Sequence, residues 1–297
     1  MIKNKRLKTP LRWVGGKSRA LKKLEIHNPK NMDNIIEIRD AFLGGGSYPL
    51  YLSQLYPDKS IWVNDIYVPL YNFWVELRDN HEELITKLIK KKEDNDTIDK
   101  SKLLFLDSKN IINHNKYSNI DKAVAFYIVN KCSFSGLTEN SSFSAGASQN
   151  NFKINLIKDL KHYSELIKNW RITNLDYTKL MKGDGHIFVY LDPPYDIKSN
   201  IYGKKGDLHK IFNHDDFKLN CMKSMCRLLI SYNIEIDGLY NKSFDLTYTM
   251  KSNTKYIEDQ KKRKEFAITN HFDYYDTDEE EECGFFRGKG DLAHAAC

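Results

Sequence analysis

Two short apolar runs near the N-terminus flank a glycine-rich turn and a helical segment, and the second run ends in an acid. Residues 34–38 (NIIEI) form the first run and are soon followed by DAFLGGGS, while residues 60–65 (SIWVND) form the second. Residues 48–56 lie between them and predict a short helix that ends before Pro57. A strand, a glycine turn, a helix and a strand that ends in an acid are the order found in parallel α/β sheets.

Further apolar runs extend this pattern along the chain. Residues 186–191 (HIFVYL) are almost uninterrupted in their apolar character, which is typical of a strand buried on both faces of a parallel sheet. Residues 172–174 and 228–233 predict two more strands, and residues 265–270 predict a last strand at the edge of the sheet. The chain therefore predicts an α/β fold with a Rossmann-like sheet.

The glycine turn and the acid after it predict a nucleoside site. Phe42, Gly44 and Gly46 form an F-x-G-x-G pattern directly after the first strand. Glycine lets the backbone approach a ligand that a Cβ atom would push away. Asp65 ends the next strand, 19 residues after Gly46, where a carboxylate can accept hydrogen bonds from both hydroxyls of a ribose. These residues favour an adenosine-containing cofactor and leave open whether it is a dinucleotide or S-adenosylmethionine.

The tetrapeptide Asp192-Pro193-Pro194-Tyr195 follows the strand at 186–191 directly. Its two prolines fix the backbone and lack N–H donors, so the turn presents hydrogen-bond acceptors. The Asp192 carboxylate and the Pro193 carbonyl can hold the two N–H bonds of an exocyclic amino group, and Tyr195 offers a ring for stacking. The tetrapeptide therefore predicts a site for the amino group of a flat heterocycle.

Residues 12–18 (RWVGGKS) end like a phosphate-binding P-loop but do not form one. A P-loop has the pattern G-x-x-x-x-G-K-[ST] between a strand and a helix. Leu11 stands where the first glycine is required, and the residues before it are basic and end in Pro10. The residue pattern and its context both exclude a P-loop nucleotide triphosphatase.

The basic residues are concentrated outside the C-terminal tail. The formal net charge of the chain is +6, while residues 273–297 hold eight acidic and two basic residues. Residues 1–272 therefore carry a net charge of +12. A body this basic suits a polyanionic partner, most commonly a nucleic acid, and the acidic tail predicts a solvated, disordered segment.

The cysteines and the apolar runs bear on metal binding and location. Five cysteines at spacings unlike those of metal ligands predict packing residues and no metal site. No apolar run approaches the roughly 18 residues needed to span a bilayer, and the basic N-terminus lacks the apolar region of a secretory signal. We therefore expect a soluble intracellular protein.

Four motifs in order, RWVGGK, DAFLGGG, VNDI and DPPY, resemble those of the Dam-like (D12 class, alpha-group) adenine-N6 DNA methyltransferases. The resemblance covers residues 9–272 and includes NKCSFSGLTEN (130–140) and EFAITN (265–270). It implies a Rossmann-like, S-adenosylmethionine-dependent methyltransferase sheet formed by residues 1–74 and 175–272. A mainly helical target-recognition insertion with a hairpin loop is implied at 75–174, before an acidic tail at 273–297.

The resemblance also implies a cofactor site and a catalytic site. The residues expected against S-adenosylmethionine are Trp13, Lys17, Phe42, Gly44, Gly46, Asp65 and Asp192. The residues expected at the target adenine are Asp192, Pro193, Pro194 and Tyr195. The implied reaction is an in-line methyl transfer from the sulfonium to the N6 amine, for which no metal is expected.

The target base must leave the duplex before Asp192 can reach its amino group. By the resemblance, the residues expected at the DNA are Phe134, Ser135, Glu139 and Asn140. Family members that read GATC tend to carry an arginine two residues after the G-L pair, where this chain has Glu139. Glutamate accepts from cytosine N4 and cannot donate to guanine, so we expect a short recognition site other than GATC.

Two other functions remain open beside site-specific methylation of adenine in duplex DNA. One is a catalytically silent, methyltransferase-like DNA-binding module, and the other is methylation of cytosine N4 or of RNA. Double-stranded DNA is the expected partner, with no membrane, and a cognate restriction nuclease is left open. We expect a monomer or weak dimer in the cytoplasm of a bacterial cell, or of the host of a phage or virus that encodes the protein.

Overall fold

Five parallel strands and an antiparallel pair form one sheet in the computed structural model, which describes residues 6–136, 141–195, 212–249 and 260–271. The strands are β1 Glu37–Asp40, β2 Ser60–Asn64, β3 Arg171–Thr173, β4 Ile187–Leu191, β5 Arg227–Tyr232, β6 Tyr240–Thr249 and β7 Gln260–Thr269. Their order is β3-β2-β1-β4-β5-β7-β6, and β7 runs antiparallel to both β5 and β6. The predicted α/β fold with a Rossmann-like sheet is confirmed.

Helices flank the sheet and form a cluster between β2 and β3. The α-helices of the described residues are α1 Leu21–Glu25, α2 Ser47–Leu55, α3 Val68–Asp79, α4 His81–Asp94, α5 Ile98–Ile111, α6 Asn119–Cys132, α7 Ala145–Asn151, α8 Ile154–Lys158, α9 Leu160–Ile167 and α10 His214–Lys223. None of these helices is long and apolar enough to cross a membrane.

The order of the strands reverses between β1 and β4. From β1 the chain builds outward through β2 to β3, and then returns to the other side of β1 to build β4 and β5. In open α/β sheets, ligands bind beyond the carboxyl ends of the strands at such a switch point. The glycine turn follows β1 and DPPY follows β4, so the topology brings the two main motifs together.

Apolar side chains explain why the central strands and the helix cluster form. All five residues of β4 are buried, as the apolar run predicts. Helix α6 is buried along residues 123–132, so it forms the centre of the helix cluster. The indoles of Trp74 on α3 and Trp170 pack with ring centroids 5.9 Å apart, and Trp170 Nε1 donates to Ser53 Oγ of α2 at 2.9 Å. The cluster is thereby anchored to a helix that packs on the sheet.

The last strand does not lie at the edge of the sheet, so that expectation is wrong. Strand β7 pairs with β5 on one side and with β6 on the other, and β6 is the edge strand. The sequence of β6 (YNKSFDLTYT) contains no apolar run, and the described side chains of this strand are exposed or only half-buried. Phe244, Leu246 and Tyr248 alternate with polar residues, which is a signal of a half-buried strand that sequence reasoning missed.

Two elements cross the boundaries expected for the insertion. Helix α3 spans the boundary at residue 74, and β3 lies within 75–174 although it pairs with β2 in the sheet. The division into residues 1–74, 175–272 and 75–174 stays a prediction. The tail at 273–297 lies outside the described residues.

Asn64, the last residue of β2, holds the carboxyl ends of three strands together. Its side chain is buried, and its amide donates to the carbonyls of Ala41 at 3.3 Å and Leu175 at 2.9 Å. Its carbonyl accepts from Thr173 Oγ1 at 2.9 Å and from the Leu175 N–H at 2.8 Å. One amide therefore sets the relative positions of the chain segments that follow β1, β2 and β3.

Asn64→Ala is expected to lower the free energy of unfolding by about 2–4 kcal/mol, because several buried polar groups lose their partner at once. Urea unfolding followed by far-UV circular dichroism measures this loss. Asn31→Ala is the matched control, since Asn31 is exposed and its side chain makes no cap hydrogen bond. We expect the control to stay within about 0.5 kcal/mol of the parent protein. Similar losses for both variants would contradict this role of Asn64.

Candidate active site

Three acids stand at the carboxyl ends of neighbouring strands. Asp40 is the last residue of β1, Asp65 follows β2 and Asp192 follows β4. Because the carboxyl ends of parallel strands meet at one edge of a sheet, the three side chains line a common cavity. The cavity contains about 1040 Å³ of space, part of which opens to solvent.

Most of the predicted site residues line this cavity. Those that do so are Trp13, Lys17, Phe42, Gly44, Gly46, Asp65, Asp192 and Pro194. They come from the N-terminal segment, the glycine turn, the end of β2 and the DPPY turn, which are far apart in the sequence. The structure thus brings together the motifs on which the resemblance depends, while the role of each residue stays a prediction.

The glycine turn fits closely around two tryptophans. Gly44 and Gly46 have φ angles of 50° and 70°, in the left-handed region that favours glycine. A Cβ atom at Gly44 would lie 2.6 Å from Trp13 Nε1, and one at Gly46 would lie 2.8 Å from the ring of Trp74. Trp74 Nε1 also donates to the Gly44 carbonyl at 3.2 Å. The turn therefore needs glycine both for its backbone conformation and for the approach of Trp13.

Asp65 is fixed by backbone donors. Its two carboxylate oxygens accept from the N–H groups of Gly44 at 2.8 Å and Tyr67 at 2.9 Å. Burial raises the pKa of Asp65 to about 6, although these two hydrogen bonds act in the opposite direction. Each oxygen keeps a lone pair, so the carboxylate can still accept from a ligand in the cavity.

Lys17 connects the N-terminal segment to the DPPY turn. Its ammonium donates to Asp192 Oδ1 at 2.7 Å, to Asp192 Oδ2 at 2.8 Å and to the Gly15 carbonyl at 2.9 Å. The Lys17 side chain is 3% exposed and that of Asp192 is 21% exposed. Burial by itself lowers the pKa of Lys17, but the neighbouring acids outweigh it and the pKa is raised well above its ordinary value. Lys17 therefore stays charged at any pH at which the protein works.

The two acids at the switch point have raised pKa values. Burial raises the pKa of Asp192 to about 6, opposed by Lys17 and reinforced by Glu265. Burial also raises the pKa of Asp40 well above its ordinary value; the Phe42 N–H opposes this, and the charges of Asp192 and Asp65 reinforce it. Carboxylates this close together and this well buried favour a cation in the cavity beside them.

The residues after Asp192 have different environments. Pro193 is buried, Pro194 lines the cavity and Tyr195 is half-buried. The Tyr195 hydroxyl donates to the carboxylate of Glu265 on β7, and its ring lies 5.0 Å from the Lys17 ammonium. Asp192 and Tyr195 are therefore both tied to Lys17, one by a salt bridge and the other by a cation–π contact.

A second cavity, with about 940 Å³ of space, adjoins the first and shares Phe42, Ile66 and Phe212 with it. The Phe42 ring stacks on Tyr177 with centroids 5.3 Å apart. Ile66 is 52% exposed although it is large and apolar. The second cavity thus offers flat, apolar walls next to Asp65.

Neither cavity nor any other described region groups three or more His, Cys, Asp or Glu side chains that could hold a metal ion.

Comparison with known proteins identifies the family. Residues 13–266 match the family described as D12 class N6 adenine-specific DNA methyltransferase. The chain belongs to this family. It is thus an adenine-N6 DNA methyltransferase by family, as the motifs predict, and its substrate is DNA. Such enzymes need a methyl donor, which is generally S-adenosylmethionine.

Curated relatives support the assignment. The type II methyltransferase M.MjaIII of Methanocaldococcus jannaschii is 27% identical over 255 residues, which cover 80% of this chain and 88% of the relative. The type II methyltransferase M1.LlaDCHI of Lactococcus lactis is 28% identical over 216 residues, 69% of this chain and 72% of the relative. M.CviBI of Paramecium bursaria Chlorella virus NC1A is 22% identical over 278 residues, 89% of this chain and 100% of the relative.

The structure describes only some of the residues that are predicted to contact DNA. Phe134 is 57% exposed and begins a single 3-10 turn, Phe134–Gly136, which also contains Ser135. Gly136 lines the first cavity, so this turn lies at its rim. The Phe134 N–H donates to the Ser142 carbonyl at 2.9 Å, and Ser133 and Phe143 form an antiparallel bridge. Glu139 and Asn140 lie outside the described residues.

Sequence reasoning missed three polar residues that the structure places in or beside the first cavity. Asp40 could have been predicted as a site residue, because it stands at the carboxyl end of β1 just as Asp65 stands at the carboxyl end of β2. Tyr190 stands two residues before Asp192 and lines the cavity, but it reads as part of an apolar strand. Glu265 is the single acid of β7 and follows four basic residues, but nothing in the sequence places it beside Lys17.

Gly44→Ala is expected to lower the free energy of unfolding of the methyltransferase by about 1–3 kcal/mol, because a Cβ there is strained and displaces Trp13. We expect a change in tryptophan emission together with the loss of stability in urea. Both quantities can be measured on the ligand-free protein.

Gly146→Ala is the matched control for this change. Gly146 lies within α7, and a Cβ there would have nothing within 4 Å. Alanine is the better helix former by about 1 kcal/mol, so this variant should be as stable as the parent protein or slightly more so. Equal destabilisation by both substitutions would show that the glycine turn is not strained in the way described.

Proposed function

We propose that the protein transfers a methyl group from S-adenosylmethionine to the N6 amino group of adenine in duplex DNA. The observation that carries this proposal is the position of Asp192. It lies at the switch point of the sheet, is held by Lys17, and faces a cavity lined by the glycine turn and Asp65. The Asp192 carboxylate therefore belongs both to the wall of the cavity and to the tetrapeptide that is proposed to hold the target base.

The cavity fits the proposed cofactor in shape and charge. The close approach of the glycine turn leaves a cradle that Cβ atoms would fill. The Tyr190 hydroxyl is buried and has no hydrogen-bond partner among the described residues, so a polar ligand group can accept from it. Asp40, Asp65 and Asp192 give the walls a negative character. S-adenosylmethionine carries a sulfonium and an ammonium group, which match these acids.

Each part of the cofactor has residues that would hold it. Asp65 would accept from the ribose hydroxyls, and the second cavity would take the adenine between apolar side chains such as Ile66 and Tyr177. Asp40 would face the ammonium group of the methionine part. Trp13 would form the wall over the glycine turn, against which it already packs.

The residues of the DPPY turn would act on the target amine. The bound cofactor supplies a methyl group on a positively charged sulfur. Asp192 is ionised at neutral pH because its pKa is raised only to about 6. Its carboxylate can accept from the N6 amine while it still accepts from Lys17, since a carboxylate has about four lone-pair sites. With the Pro193 carbonyl as second acceptor and Tyr195 stacked on the base, the amine would be held for in-line attack.

The proposal includes extrusion of the adenine from the duplex. Unstacking and unpairing a base costs roughly a few kcal/mol, and a side chain that fills the gap reduces this cost. Phe134 is exposed beside Gly136 at the rim of the cavity and supplies such a side chain. The proposed target-recognition region is the helix cluster that carries this turn. Glu139 in the same loop supports a site other than GATC.

The names of the relatives extend the proposal to a biological role. All three of the relatives described above are named type II methyltransferases, so a cognate restriction nuclease is the proposed partner, with the protein acting in the cytoplasm as a monomer or weak dimer. A catalytically silent DNA-binding module is the alternative. The Lys17–Asp192 pair favours the enzyme, because DNA binding alone gives no reason to keep a buried lysine paired with this acid.

Expression in cells without DNA methylation, followed by sequencing with modification detection, should reveal N6-methyladenine in a short consensus other than GATC. Asp192→Ala should abolish the mark. Asp184→Ala is the matched control, because Asp184 is exposed at the opposite end of β4, and it should leave methylation unchanged. Unmethylated DNA, with S-adenosylmethionine binding intact by calorimetry, would favour the silent module or an RNA substrate.

Phe134→Ala should reduce methylation of duplex DNA at least about tenfold more than methylation of the same strand when it is unpaired, because only the duplex must give up a stacked base. Steady-state rates on matched single- and double-stranded oligonucleotides measure the difference. Leu103→Ala, which removes an equally exposed apolar side chain on α5, should change neither rate. Equal losses on both substrates would contradict the proposed role of Phe134.

A further inference from the structure

A buried carboxylate that is not among the predicted site residues reaches the proposed catalytic site. Glu265 lies on β7 and is only 2% exposed. Strand β7 pairs with the carboxyl end of β5, where Tyr232 is opposite Phe266, so Glu265 lies just beyond the end of β5. This is the edge of the sheet at which Asp192 stands.

The contacts of Glu265 converge on one oxygen. Its Oε1 accepts from the hydroxyls of Tyr195 and Ser231 and lies 3.4 Å from the Lys17 ammonium. An ionised carboxylate without partners is very unfavourable in the protein interior, so these contacts explain how Glu265 is tolerated. Two of the three partners belong to the proposed catalytic site, and Ser231 anchors the carboxylate to β5.

Two carboxylates therefore share a single ammonium. Lys17 Nζ is 2.7 Å and 2.8 Å from the oxygens of Asp192 and 3.4 Å from Glu265. If Asp192 were the sole partner, the charge of Lys17 would neutralise it and weaken it as a hydrogen-bond acceptor. With Glu265 present, the group of three keeps a net negative charge beside the place proposed for the target amine.

We propose that Glu265 is a positioning residue for methyl transfer, which fixes the Tyr195 hydroxyl and draws part of the Lys17 charge away from Asp192. The inference rests on the proposed roles of Asp192 and Tyr195. It assigns no contact with the substrate to Glu265 itself. Ser231 acts on the catalytic residues only by holding Glu265 in place.

The charges around Asp192 agree with this role. Glu265 is among the groups that raise the pKa of Asp192, while Lys17 lowers it. Titratable groups face Asp192 from the N-terminal segment, three strands and its own turn; they are Lys17, Asp40, Tyr190, Glu265 and Tyr195. The tyrosines are neutral at working pH because burial raises their pKa values well above the ordinary value. Asp40 and Glu265 are therefore the acids whose removal should make Asp192 easier to ionise.

Glu265→Gln tests the proposal, because glutamine keeps the shape of the side chain and an acceptor for Tyr195 but loses the charge. We expect kcat for DNA methylation at pH 8 to fall about tenfold, with the KM for DNA and the Kd for S-adenosylmethionine changed less than about twofold. The acid limb of kcat, expected near pH 6 in the parent protein, should move to lower pH. The direction follows because the variant removes a negative charge that opposes the ionisation of Asp192.

Two further variants separate positioning from stability. Glu76→Gln neutralises another buried glutamate, on α3, and should leave kcat and its pH profile unchanged. In a double-mutant cycle, Glu265→Gln and Tyr195→Phe should be non-additive in kcat, because both act on the same hydrogen bond, which the uncharged glutamine acceptor weakens and phenylalanine removes. Additive effects, or a Glu265→Gln variant with reduced kcat and an unmoved acid limb, would reduce Glu265 to a structural residue and overturn the proposal.

A measurement on the ligand-free protein makes the test independent of catalysis. In a carbon-13 NMR titration of the side-chain carboxyls, the Asp192 signal is identified by its absence in Asp192→Asn. Its midpoint should move to lower pH in Glu265→Gln and stay in place in Glu76→Gln. An unmoved midpoint would overturn the coupling of Glu265 to Asp192. A moved midpoint in a protein that methylates no DNA would instead show that the coupling exists and that the proposed function is wrong.

Discussion

The salt bridge between Lys17 and Asp192 is the interaction on which the site depends. It joins an N-terminal segment, whose described residues contribute no strand to the sheet, with the turn that follows a central strand. Bringing a lysine and a carboxylate out of water is unfavourable by several kcal/mol for each ion unless both remain paired. Loss of Lys17 would leave Asp192 without its cation, and loss of Asp192 would leave Lys17 with Glu265 as its acidic partner at 3.4 Å. The N-terminal segment must therefore dock before the cavity at the switch point is complete.

The same segment connects the cavity to the helix cluster. The Arg12 N–H donates to Asn130 Oδ1 at 3.0 Å, and Asn130 Nδ2 donates to the Arg12 carbonyl at 2.7 Å. The Arg12 guanidinium donates to the Ser133 carbonyl at 2.6 Å, one residue before Phe134. Arg12 thus holds the turn that contains Phe134, and Lys17 holds Asp192. Both residues belong to one short segment of the chain. A movement of the proposed DNA-contacting turn can therefore be transmitted to Asp192 through the segment that contains Arg12 and Lys17.

The sequence predicted best those structural features that depend on residues close together in the chain. The apolar strands and the glycine turn could be predicted because their residues carry the periodicity or the φ preference themselves. The acids after β2 and β4 could be predicted because each follows a strand directly. Strand β6 was missed because it has no continuous apolar run and only Phe244, Leu246 and Tyr248 alternate with polar residues. Glu265 could not be predicted, because its role arises from antiparallel pairing that places it beside Lys17, 248 residues earlier in the chain.

The acids of the cavity also bear on the stability of the ligand-free protein. The pKa values of Asp65 and Asp192 are both about 6, above the ordinary value of 3.8, chiefly because of burial. A raised carboxyl pKa means that the folded state binds more protons than the unfolded state between these two values. The free energy of unfolding therefore decreases as the pH rises from about 4 to about 6, and it stays lowered at neutral pH. A cationic ligand bound beside the ionised acids would offset this loss, so the charges that destabilise the empty cavity are those that favour binding of a sulfonium cofactor.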